Sequence, residues 1–245
     1  MKEETKLVGY CHFPRSITGV SSKCLMAKGL THFLQHLLHS QMEQTLFFLI
    51  NHDWTSPQVD WVMATITNWN FWMPFLLCVC ILLGIFGNFH ARAALACAIA
   101  CVGIVDSVVN SLKHHIGRPR PYMVLSGVRK VELEHVHPQI LALKRPLRVY
   151  YSQFDSERSL HGHSFPSGHA ANSFALATIF ALFFRRLGWV LMASATLIAY
   201  SRIYVGAHWP LDVVAASLIG TGTALALAVC VEALRRWLCR FFSQA

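Results

Sequence analysis

Apolar runs and short polar clusters alternate along this chain, and each cluster falls where a run begins or ends. Runs at about 71–89, 93–112, 169–184 and 211–234 are long enough, or nearly so, to cross a hydrocarbon core about 30 Å thick as helices. A fifth, at 187–205, has the length but carries more polar residues. The only acidic or basic side chain deep in these runs is Asp106. The pattern predicts an all-α integral-membrane bundle with five transmembrane helices, or six if an earlier segment also spans.

That earlier segment is 30–50. Leu30, Phe33, Leu34, Leu37, Leu38, Leu46 and Leu49 keep helical spacing, while His32, Gln35, His36, His39, Glu43 and Gln44 take the other face. An N-terminal amphipathic helix lying in the membrane interface fits this pattern. A spanning helix is the alternative and would place both termini in the cytoplasm. Trp54, Trp61, Trp69 and Trp72 follow, as expected of interfacial anchors. The domain reading is therefore a tail at 1–29, an interfacial segment at 30–70 and a transmembrane catalytic domain at 71–240. Within the last, 122–165 is a charged, histidine-rich insert, too polar to span and too long for a tight turn, expected as a cap or lid on the outer face.

Composition supports a membrane setting. Of 245 residues, 54% are hydrophobic and 13% charged, and the mean hydropathy is +0.43, which excludes an ordinary soluble domain. A net charge of +9 would suit nucleic acid, but the basic residues gather at the ends of apolar runs, so no nucleic-acid partner is expected. Arg92, Arg185, Arg186, Arg235, Arg236 and Arg240 mark alternate helix ends as cytoplasmic. The polar clusters then share the outer face, the convergence that one site requires. Cys78, Cys80, Cys97, Cys101 and Cys230 lie in apolar runs and read as small packing residues. No typical cleavable signal peptide is expected at the start of the chain.

Three clusters carry the chemistry. In the first, 113–121 reads K-H-H-I-G-R-P-R-P, with Asp106, Asn110 and Lys113 on one face of the preceding helix. Gly117, Pro119 and Pro121 stop that helix and direct Arg120 inward. Lysine is a point charge and arginine a planar fork, and both suit phosphate oxygens. In the second, Pro166-Ser167-Gly168-His169 opens an apolar helix, whose free N–H groups make an anion site. Ser167 adds a hydroxyl donor, the Gly168 backbone approaches a ligand closely, and His169 stands ready to protonate a leaving oxygen. In the third, Ser201 and Arg202 precede His208, and Asp212 follows four residues later. A carboxylate there accepts the Nδ1 proton of His208 and leaves Nε2 free to attack phosphorus, while Arg202 neutralises charge as it develops. Each cluster alone has an ordinary alternative: a basic stretch against headgroups, a helix cap beside a bystander histidine, an interfacial anchor beside a helix-start acid. Their joint inventory points to a phosphoryl group.

The order K-x6-R-P, P-S-G-H, S-R-x5-H-x3-D resembles the three-part signature of the type 2 phosphatidic acid phosphatase superfamily, membrane-embedded lipid phosphatase branch. It is matched without a substitution by Lys113, Arg120 and Pro121, by Pro166 to His169, and by Ser201, Arg202, His208 and Asp212. The resemblance implies a phosphatase that needs no metal or other cofactor and works through a phosphohistidine. It makes His208 the nucleophile, Asp212 its orienting partner and His169 the general acid. It makes Lys113, Arg120, Ser167, Gly168 and Arg202 the phosphate-binding set. Hydrolysis then uses a water activated by the histidine pair or by the substrate. The implied substrate is a phosphate monoester or diphosphate on a membrane lipid. Undecaprenyl diphosphate and lipid A 1-phosphate are favoured over phosphatidylglycerol phosphate and phosphatidic acid, in a bacterial cytoplasmic (inner) membrane with the site on the periplasmic face. The sequence gives no oligomeric state.

Two other classes stay open. A vanadate-dependent haloperoxidase-like enzyme shares the same oxyanion cage, though those relatives are soluble. A metal-binding or non-catalytic membrane protein is the other; His161, His163, His169, His114 and His115 supply imidazoles, but carboxylate or thiolate partners are not evident nearby.

Overall fold

The computed structural model describes residues 41–153 and 163–242. In chain order it places helices α1 (Gln41–Phe48), α2 (Pro57–Thr67), α3 (Trp69–Phe86), α4 (Phe89–Ile116) and the single turn α5 (Pro121–Val124). Strands β1 (Arg129–Glu132) and β2 (Arg148–Tyr151) follow, then α6 (Gly168–Phe183), α7 (Arg185–Tyr204) and α8 (Pro210–Phe242). Among the described residues, α3, α4 and α8 are the helices long and apolar enough to cross a membrane, and α6 is a shorter apolar helix.

The sequence sets the helix boundaries with side-chain caps. Ser56 accepts from the Val59 N–H before Pro57, Asn68 accepts from Phe71, and Asn88 accepts from Ala91. Each such cap is worth about 1 kcal/mol against alanine. The α3–α4 turn is thus written by Gly87 and Asn88, and the α6–α7 hairpin by a single residue, Phe184.

α6 is the central helix. It packs against α4, α7 and α8 and buries Ala170, Ala171, Ala175, Ala177, Thr178 and Ile179. Small side chains let backbones approach where lipid supplies no hydrophobic drive between helices. The closest crossing is with α8, where a Cβ added at Gly220 would stand 2.1 Å from the Ala171 carbonyl oxygen. By contrast α3 buries only Phe71 and turns Leu77 and Ile85 outward. Among the cysteines, Cys101 is buried as a packing residue, but Cys78 and Cys230 are exposed on outward faces, where a membrane rather than the core would cover them.

Two expectations are corrected. The fold is mostly helical but not all-α: the 122–165 insert contains a two-stranded antiparallel ladder, with Arg129 opposite Tyr151 and Val131 opposite Val149. Its charges had read as a solvated cap. Instead Arg129 is buried against Asp60 of α2, and Val131 joins the hydrophobic core. The part of the 30–50 segment within the described residues is not a freely lying interfacial helix either. Phe47 is wholly buried against Trp209, and Glu43, expected on the polar face, is 5% exposed. Residues 30–40 and the tail lie outside the described residues.

Candidate active site

Lys113 lies in the last turn of α4, and the helix ends where Gly117 takes a left-handed φ of 60° with its N–H on the Lys113 carbonyl at 3.0 Å. That turn reverses the chain through Arg118 and Pro119 to Arg120. Arg120, His169 and Arg202 then line one cavity of about 250 Å³, together with Trp69 and Tyr122.

Ser167 is the residue before α6. Its N–H donates to the Asp212 carbonyl at 3.2 Å, while its hydroxyl is buried with no partner among the described residues. A Cβ at Gly168 would lie 3.7 Å from the Lys113 ammonium, so that cation stands over the first turn of α6. A helix start leaves N–H groups unpaired there, and the dipole favours an anion.

Arg202 ends α7. One terminal nitrogen donates to the Thr67 hydroxyl, and Nε is buried without a partner among the described residues. The N–H groups of Ala207 and His208 both donate to the Arg202 carbonyl, at 3.0 and 3.2 Å, which folds His208 back beside it. Nδ1 of His208 lies 3.6 Å from Asp212 Oδ2 and 3.5 Å from Ser164 Oγ. The carboxylate therefore faces Nδ1, at ion-pair rather than hydrogen-bond distance. Asp212 is fully buried and heavily bonded: Arg118 donates to Oδ1 at 2.6 Å, and Ser164 Oγ and the Trp209 N–H donate to Oδ2 at 2.5 and 3.0 Å. Burial, with Arg202 and Arg120 nearby, pushes His208 down to about 4 despite the pull of Asp212, so the ring is neutral at neutral pH.

The three clusters meet in space. His169 lies within electrostatic reach of Lys113, Arg120, Arg202 and His208. Two buried donors without partners, Ser167 Oγ and Arg202 Nε, belong to the same group. Buried polar atoms are seldom left unbonded, and an oxyanion held by Arg202 and the α6 terminus would satisfy both.

Residues 92–236 match the PAP2 superfamily. The chain belongs to that superfamily. It is 36% identical over 100 residues to an undecaprenyl-diphosphatase of Sulfolobus acidocaldarius, covering 40% of this chain and 48% of that protein. It is 30% identical over 171 residues to a lipid A 4'-phosphatase of Bacteroides thetaiotaomicron, covering 67% of this chain and 66% of that protein. The chain thus spans about half to two thirds of these curated relatives. Among solved structures, Aquifex aeolicus LpxE superposes with a TM-score of 0.58 at 27% identity, covering 78% of this chain and 96% of that one.

Within this PAP2 site, four residues escape a reading of motifs. Arg118 lies inside the first cluster, and Ser164 lies two residues before its neighbour motif, yet neither occupies a signature position. Their signal was proximity to those motifs. Glu43 and Thr67 carry no local signal and arrive from helices that precede the matched PAP2 region. Asp106, which the spacing puts deep in an apolar run on the face of Lys113, is exposed and accepts from the Asn172 amide at 2.8 Å. His114 and His163 rings meet at 5.1 Å, whereas His161 lies outside the described residues. No cluster of three metal-ligating side chains forms among the described residues.

Proposed function

We propose that this PAP2 protein is an integral-membrane lipid phosphate phosphatase acting through a phosphohistidine. The observation that carries the reading is the neutral His208, backed by Asp212 on its Nδ1 side and set beside Arg202, whose Nε has no protein partner among the described residues.

In this mechanism Lys113, Arg120, Arg202, the Ser167 hydroxyl and the Gly168 N–H hold the phosphate oxygens. With the phosphate anion among the cations and His169 protonated, Nε2 of His208 attacks phosphorus, the bond from phosphorus to the lipid-side oxygen breaks, and His169 gives that oxygen its proton. Asp212 stabilises the cationic ring so formed. A water then attacks the phosphorylated ring and passes its proton to His169, which releases inorganic phosphate and restores both histidines. Fixed cations supply the charge stabilisation throughout.

The substrate class is a phosphate monoester or diphosphate on a membrane lipid. The activities named for the two relatives support undecaprenyl diphosphate and lipid A phosphate. We further propose five spans, α3, α4, α6, α7 and α8, in a bacterial cytoplasmic membrane. Arg92, Arg185 and Arg235 stand in or near the helix ends opposite the site, which supports an outer-face site by the positive-inside rule.

The test is phosphate release by the purified protein in detergent with EDTA present. The panel holds undecaprenyl diphosphate, lipid A, phosphatidylglycerol phosphate and phosphatidic acid, with His208→Ala as control. EDTA-resistant release from one lipid, lost in the variant, is the expected result. Release that needs a divalent ion would overturn the mechanism.

A further inference from the structure

Arg118 sits between two carboxylates. Its Nη1 donates to Asp212 Oδ1 at 2.6 Å, and its Nη2 donates to Glu43 Oε2 at 2.5 Å. All three side chains are buried, at 4% exposed for Arg118, 5% for Glu43 and 0% for Asp212. Glu43 also accepts the Leu211 N–H at 3.0 Å, which ties it to the first turn of α8. Trp209 completes the enclosure: its ring lies 5.0 Å under the guanidinium, and its indole N–H donates to the Pro119 carbonyl at 3.0 Å. The fork of Arg118 is therefore held by three groups, Asp212, Glu43 and the Trp209 ring.

We propose that Glu43 and Arg118 are positioning residues for the nucleophile, fixing the orientation and the effective charge that Asp212 presents to His208. The role presupposes the phosphatase reading above. Buried charges are costly unless paired and bonded, and removing one member leaves the others exposed to that cost. Here the row reads negative, positive, negative, then an imidazole that becomes cationic as it attacks. Arg118 alone would draw the charge of Asp212 away from His208. Glu43 takes part of the guanidinium's charge and returns that of Asp212 to the ring. Glu43 comes from α1, outside the matched region 92–236, so a helix before the PAP2 region contributes to its chemistry.

Opposite charges make the test selective. The acid limb of kcat/KM against pH reports protonation of free His208. The titratable and charged groups facing that ring are Asp212 and, through it, Arg118 and Glu43, together with Arg202, Arg120 and His169. Arg118→Met removes the cation, leaves the full charge of Asp212 to the ring, and moves the limb to higher pH. Glu43→Gln keeps the shape, leaves Arg118 acting on Asp212 alone, and moves the limb to lower pH. Both variants should lower kcat roughly 10–100-fold with KM little changed, and Arg118→Lys should restore the limb but only part of kcat.

The assay uses the full chain in detergent on whichever panel lipid it hydrolyses, with His208→Ala alongside. Limb shifts of opposite sign support the role. Shifts of the same sign, or none, with folded variants would overturn it while leaving the phosphohistidine reading intact. If wild type hydrolyses no phosphate lipid, or His208→Ala keeps turnover, the phosphatase reading fails and takes this role with it.

Discussion

Arg202 donates to the hydroxyl of Thr67, 135 residues earlier in the chain. That bond holds a cation of the proposed phosphate site from a helix lying outside the PAP2 region. Thr67→Val removes the acceptor, and Thr67→Ser keeps it. Hydrogen bonds to charged groups are worth about 1.5–3 kcal/mol, so Thr67→Val should lower kcat/KM roughly 10–100-fold. Steady-state kinetics on the active lipid check this, with Thr67→Ser near wild type.

His208→Ala should reduce turnover to the uncatalysed level while the protein still elutes as one folded species. His169→Ala should cost about 10²–10⁴-fold in kcat, and less on a substrate whose leaving group needs no proton. An aryl phosphate with a good leaving group makes that comparison. Equal losses on both substrates would remove His169 from the proton-donor role.

The depressed pKa of His208, about 4, sets two pH dependences. In the proposed mechanism the nucleophile is neutral above that value, so the acid limb of kcat/KM should rise through about pH 4. Unfolding returns the ring to an ordinary value near 6.5. The unfolded chain therefore binds the extra proton between these two values, and stability should fall as pH drops from about 6.5 toward 4. Thermal unfolding in detergent across that range checks the second effect.

Asp60 links three elements: it pairs with Arg129 of β1 and accepts from the Tyr204 hydroxyl at 2.6 Å. Asp60→Ala strands a buried guanidinium and should destabilise the protein by about 3–5 kcal/mol. The loss should appear in melting temperature first, with kcat following only as the fold fails.

The motif residues were legible because each lies beside a helix end that the apolar pattern already marks. A helix start beside Ser167 or a helix stop at Gly117 needs no knowledge of distant partners. Glu43, Thr67 and Asp60 could not be read this way. Each is a polar residue on a segment whose local pattern suits a surface, and its role exists only because another element brings a cation to it. The β1–β2 ladder was hidden for the same reason. Arg129, Lys130 and Glu132 look like a solvated run, yet Arg129 meets Asp60 and Lys130 meets Glu132 at 2.8 Å. The distant Arg129–Asp60 pair and the buried Val131 together hold that part of the fold.

The α6–α8 crossing has a further consequence. His169 rides on the first turn of α6, while Asp212 rides on the first turn of α8 and holds His208 just before it. The gap between His169 and His208, the proposed proton donor and nucleophile, is therefore a helix-packing distance, set where Gly220 presses on the Ala171 backbone. A single methyl group at 220 would wedge the two helix starts apart without touching substrate. In this protein the calliper of the reaction lies inside the bundle, where no ligand reaches it.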